Sequence, residues 1–176
     1  TGCGMGGTGR ARVGVGRRSA GTARALADGG VTLVDAQAAV EMARAIKAAE
    51  EGQCIIAALR ATGRAVAALG AAIRPGQTEA ELWSVLHQSI IAQNGDYVET
   101  RLLNSGPRTN PWFQETSARV IGANELIALD TDVVGCHGYY SDFSRTFHAG
   151  PQDPTAQQCQ LYQLAHEQVQ HNLSVL

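Results

Sequence analysis

The run Leu126-Ile127-Ala128-Leu129-Asp130-Thr131-Asp132-Val133-Val134, followed after a turn by Ser141-Asp142-Phe143-Ser144-Arg145-Thr146, decides how this chain is read. Apolar, β-prone residues surround Asp130 and Asp132, and on a strand a spacing of two directs both side chains to one face. Gly135 and Gly138 mark a reversal, so Asp142 falls within a second strand-like run. A hairpin built this way gathers three carboxylates. Such a group in apolar surroundings calls for a compensating cation, because desolvation and mutual repulsion both oppose ionisation. Asp130, Asp132 and Asp142 are therefore the candidate metal ligands, and oxygen-only donors suit hard or borderline divalent ions. A solvated acidic hairpin is the plainer alternative, and the flanking Leu-Ile-Ala-Leu and Val-Val argue against it. A calcium loop of the helix-loop-helix type is excluded, because its closing Glu is missing.

At 176 residues the chain can bury one core, and a formal charge of −2 without a basic stripe gives no electrostatic case for nucleic acid or a membrane surface. A small molecule is the expected partner. No stretch is read as approaching the apolar length needed to span a bilayer. Cys3, Cys54, Cys136 and Cys159 form no C-x-x-C pair, which fits reduced thiols in a cytoplasm better than a zinc ribbon or a disulfide framework. Cys136, beside the carboxylates, reads as a small turn residue more than as a soft ligand.

Residues 1–30 are rich in Gly, Arg and Ala without a hydrophobic period, and are expected to be a disordered, low-complexity tail. Residues 38–69 read as helical, with Ile56, Leu59, Val66 and Leu69 on one buried face. Arg74-Pro75-Gly76 makes a turn, and Thr78-Glu79-Ala80-Glu81 is a capping box that opens a helix carrying Leu82, Val85, Leu86 and Ile90. Residues 98–105 read as a strand. The loop after it holds Arg108, Asn110, Trp112 and Phe113. Arg108 could hold a carboxylate and Trp112 could border a cation, while plugging of the core edge by Trp112 and Phe113 is an equal alternative. Asp153-Pro154 predicts the start of a last helix, with Leu161, Ala165, Val169 and Leu173 as its apolar stripe.

In their order, Arg74-Pro75-Gly76-x-Thr78-Glu79, Ser105-Gly106-Pro107, Leu129-Asp130 and Ser141-Asp142-x-Ser144-Arg145-Thr146 resemble the pita-bread, or M24, metallopeptidase superfamily over about residues 38–176. Within it, Glu99-Thr100-Arg101-Leu102-Leu103, the run from Ser105 to Glu115 and Asp130-Thr131-Asp132 most resemble dimethylsulfoniopropionate lyases of the DddP type. The peptidases carry Gly where Asp132 stands, and they place a His in the loop that has no counterpart between Pro107 and Gln114.

The resemblance implies an α+β fold in which residues 31–176 form the N-terminal part of a pita-bread domain, with helices on a curved antiparallel sheet. It implies a cytoplasmic, metal-dependent lyase, homodimeric when complete, that cleaves dimethylsulfoniopropionate to dimethyl sulfide and acrylate. An aminopeptidase P- or prolidase-like hydrolase and a non-catalytic fragment are the alternatives. Iron is the expected metal, with zinc, manganese or cobalt as substitutes. Trp112, Arg108 and Tyr140 are the expected substrate contacts. In the family a His and two Glu complete the metal site, and these, with the catalytic base, are expected beyond Leu176, so the chain is expected to be incomplete.

Overall fold

The computed structural model describes residues 12–16, 19–111 and 114–176, and the chain divides into two units, Thr1–Ala48 and Ala49–Leu176. In the first unit strand β1 (Arg12–Val15) pairs in parallel with β2 (Thr32–Asp35), helix α1 (Ala20–Asp28) connects them, and α2 (Gln37–Ala45) follows. For residues 12–16 and 19–30 this corrects the expectation of a structureless tail, while residues 1–11, 17 and 18 lie outside the described residues. Glycine here serves close packing, since a Cβ on Gly14 would lie 2.8 Å from the Ala36 Cβ. Ser19 caps α1 by accepting from the Thr22 N–H at 3.2 Å.

The second unit opens with two helices, α3 (Ala49–Ala72) and α4 (Glu79–Ala92). Its strands form two antiparallel sheets. One has the order β3 (Tyr97–Val98), β6 (Val133–Val134), β7 (Tyr140–Ser141); the other has the order β4 (Leu103–Ser105), β5 (Glu125–Asp130), β8 (Ser144–Ala149). Leu69, Leu82, Leu86, Ile90, Leu103, Ile127, Leu129 and Val133 are all buried where the helices cover the strands. This is the expected α+β architecture.

The helical stretch differs from its reading in two respects. It breaks at 46–48 between α2 and α3, and the buried face of α3 is Ala58, Ala61, Thr62, Ala65, Val66 and Leu69, leaving Ile56 and Leu59 exposed. Small residues win because the partners come close. A Cβ on Gly135, in the hairpin turn, would lie 2.5 Å from the Ala58 Cβ, and Thr62 Oγ1 and Ser141 Oγ share a buried hydrogen bond of 2.6 Å. By length and composition α3 could also cross a membrane, contrary to the sequence expectation, but its inner face belongs to this core.

At the start of α4 the capping box forms as read, with Thr78 and Glu81 exchanging hydrogen bonds. The adjacent Glu79 is fully buried. Its carboxylate accepts from the Ser105 N–H (2.8 Å) and hydroxyl (2.9 Å), the Ser117 N–H (3.1 Å) and hydroxyl (2.7 Å), and the Arg108 guanidinium. One carboxylate thus ties α4 to the end of β4 and to the segment that returns towards β5. Helix α5 (Ala156–Val175) is capped by Thr155 and Gln158, two residues later than read, and Leu161, Val169 and Leu173 of its stripe are exposed.

Truncating one partner of a buried, hydrogen-bonded ion pair strands the other charge. Glu79→Ala should therefore lower the unfolding free energy by about 3–5 kcal/mol, measured by urea denaturation. A loss of under about 1 kcal/mol, the worth of an exposed pair, would show that Glu79 is not the tie described.

Candidate metal centre

The site lies where the hairpin ladder is interrupted. Asp130 pairs with Ser144 and Val133 with Ser141, so the register is the same on both sides of a gap that contains Thr131-Asp132 on one strand and Asp142-Phe143 on the other. A side chain substitutes for the missing ladder bonds: Thr131 Oγ1 donates to the Phe143 carbonyl and accepts from the Phe143 N–H, each at 3.0 Å. Asp132 adopts φ +36°, the left-handed region that Asp tolerates better than most residues. The two-residue alternation assumed from the sequence therefore does not carry Asp132, which lies beyond the end of β5.

The three carboxylates nevertheless converge, with one oxygen from each of Asp130, Asp132 and Asp142 within 4.8 Å of the others; no His or Cys joins them among the described residues. Donors from the protein reach all three. Ser144 Oγ donates to Asp130 Oδ1 at 2.7 Å, Thr100 Oγ1 donates to Asp132 Oδ2, and the Asp132 N–H serves Asp142. Asp142, although exposed, is held above the usual carboxylate range by desolvation of its carboxyl group and then by the charges of Asp130 and Asp132. Concentrated, oxygen-only negative charge of this kind fits a divalent cation.

Of the other expected contacts, Tyr140 and Arg108 fall among the described residues. Tyr140, half-exposed across β6 from Tyr97, lies two residues before Asp142 in the hairpin, and its hydroxyl is pushed up to about 12, chiefly by its hydrogen bond to Tyr97. Arg108 is turned inward. Besides Glu79 it binds Ser117 Oγ at 2.6 Å and the Glu115 carbonyl at 2.7 Å, so the carboxylate it holds belongs to the protein. The guanidinium expected to meet a substrate carboxylate is thus bonded within the protein. Trp112 lies outside the described residues. Thr100, Thr131 and Ser144 were missed as functional residues, because hydroxyls that act across 12 to 32 residues of chain leave no local pattern.

The family model for metallopeptidase family M24 matches residues 53–176. The chain belongs to this family. Members of family M24 use divalent metal ions. Among known proteins the chain is similar to the dimethylsulfoniopropionate lyase DddP of Roseovarius nubinhibens, 40% identical over 158 residues that cover 87% of this chain and 35% of the relative. It thus spans about a third of that lyase, and the match reaches further towards the N-terminus than the motifs do. Among solved structures it resembles the dipeptidase PepE of Mycobacterium ulcerans (29% identity, TM-score 0.71, 83% of this chain and 39% of that one). It also resembles the prolidase of Pyrococcus furiosus (21% identity, TM-score 0.79, 89% and 48%), a likeness of fold alone.

The raised affinity of Asp142 for a proton has a consequence for stability. The folded chain holds more protons than the unfolded chain in the pH window just above the ordinary Asp range, so stability falls as pH rises through it. Asp142→Asn should therefore raise the melting temperature of chelator-treated protein at pH 7 and change it little at pH 3. A melting temperature that drops at pH 7 would contradict the repulsion described.

Proposed function

We propose that this M24 chain contributes the three-aspartate side of a metal centre in a lyase that cleaves dimethylsulfoniopropionate to dimethyl sulfide and acrylate. The observation that carries the reading is Asp132. The family resemblance puts Gly here in the peptidases, and a left-handed backbone suits Gly, yet this chain sets a carboxylate at that point and anchors it with Thr100. The 40% identity to the Roseovarius lyase, against 29% and 21% to the peptidases compared above, points the same way.

In this reading Asp130, Asp132 and Asp142 hold a divalent cation, with iron favoured over zinc, manganese or cobalt. When bound, the ion would hold and polarise the substrate carboxylate. A base removes the proton α to that carboxylate, the electron pair forms the carbon–carbon double bond, and the C–S bond breaks to release neutral dimethyl sulfide and acrylate. Tyr140, and Trp112 as an aromatic wall, suit the sulfonium end. The base and the remaining ligands are assigned to the two-thirds of the lyase that this chain does not span. A small-molecule substrate, a cytoplasmic setting and a homodimer of the whole protein belong to the same proposal.

The test is a chimera in which residues 49–176 replace the matching span of the Roseovarius lyase, assayed for headspace dimethyl sulfide and for cleavage of an Xaa-Pro dipeptide. Dimethyl sulfide without dipeptide cleavage is expected, and Asp132→Ala in the chimera should lower both bound metal and turnover by more than about 100-fold. Dipeptide cleavage with no dimethyl sulfide would replace the lyase reading by the hydrolase one. The 176-residue chain alone, loaded with iron or zinc, should give no sustained turnover, and repeated turnovers would require another base, with Tyr140 the first to replace.

A further inference from the structure

Resting on the metal reading above, we propose that Thr100 is a positioning residue for Asp132, selecting which of its carboxylate oxygens is left for the cation. Thr100 lies just beyond β3 and donates its hydroxyl proton to Asp132 Oδ2 across 32 positions of sequence. One residue earlier, the Glu99 N–H donates to the Asp132 carbonyl at 2.9 Å. The same neighbouring segment therefore holds Asp132 by both backbone and side chain.

That double hold matters because of where Asp132 sits. Its φ of +36° and its place in the ladder gap deprive it of the regular pairing that orients Asp130 at the end of β5. A short side chain in such a gap is otherwise free to change rotamer and turn its charge away from its neighbours. Thr100 occupies Oδ2, so Oδ1 is the oxygen without a donor among the described residues. On Asp130 a hydroxyl is likewise placed on one carboxylate oxygen, with Ser144 donating to Oδ1. A hydroxyl suits the task because it donates one proton and adds no charge, leaving the net attraction for a dication intact.

The experiment is Mn²⁺ binding by this chain, read from loss of the free ion's six-line electron paramagnetic resonance signal, beside thermal unfolding of chelator-treated protein. Thr100→Val keeps the shape and removes the donor; it should weaken Mn²⁺ binding at least about tenfold, while Thr100→Ser, which keeps the donor, stays within about threefold of the wild type. The melting temperatures of the two variants should be alike. Binding by Thr100→Val as tight as wild type, or by Thr100→Ser as weak as Thr100→Val, would overturn the positioning role and leave the metal reading standing. Wild-type binding no tighter than that of the triple variant Asp130→Ala, Asp132→Ala, Asp142→Ala would overturn the metal reading, and this role with it.

Discussion

A carboxylate with no access to water must find all its partners inside the protein, and Glu79 finds five. Its donors come from three places: the end of β4, the turn that follows it, and the segment at 115–119. Removed from water, a charge of this kind is tolerated only with such satisfaction, so the bonds specify geometry more than they add stability. Ser105, one of the donors, pairs with Ile127 in β5, and Asp130 stands three residues further along the same strand. The position of the metal-site strand is therefore set from the start of α4. A second ion pair, Arg119 with Glu125, reinforces it: the guanidinium contacts both carboxylate oxygens at 2.6 and 2.7 Å and pulls Glu125 below its usual range.

The sequence made some of this legible because the signals were local. A capping box needs only four residues, and Thr78 to Glu81 form it as read. The hairpin was legible for the same reason: two β-prone runs flank a glycine-bearing turn, and the register that follows brings Asp132 opposite Asp142. The fold class rested on these elements together with the ordered family motifs.

What the sequence concealed was non-local. Nothing around Arg108 announces that its charge is already committed to Glu79, 29 residues away. Nothing around Thr131 says that its hydroxyl will stand in for a pair of ladder hydrogen bonds. The glycine-bearing residues 12–16 and 19–30 misled for a different reason. Composition was taken as a measure of disorder, whereas Gly14 is small because Ala36 leaves no room for a side chain. The α3 face misled similarly: hydrophobic size was expected to mark burial, but the tightest contacts go to alanine and threonine, and the larger Ile56 and Leu59 are left outside.

The contact between Gly135 and Ala58 makes α3 a ruler for the hairpin. Because the turn backbone rests directly on the helix backbone, with Thr62 holding Ser141 one turn further along, the tip of the hairpin has no slack with which to absorb a bulkier neighbour. Any side chain enlarged at either point must lift the whole tip, and Ser141 sits immediately before Asp142. The spacing of the acidic groups is thus recorded in the alanines of a distant helix. A search for variants that retune the metal would do well to begin there, on a surface that touches no metal at all.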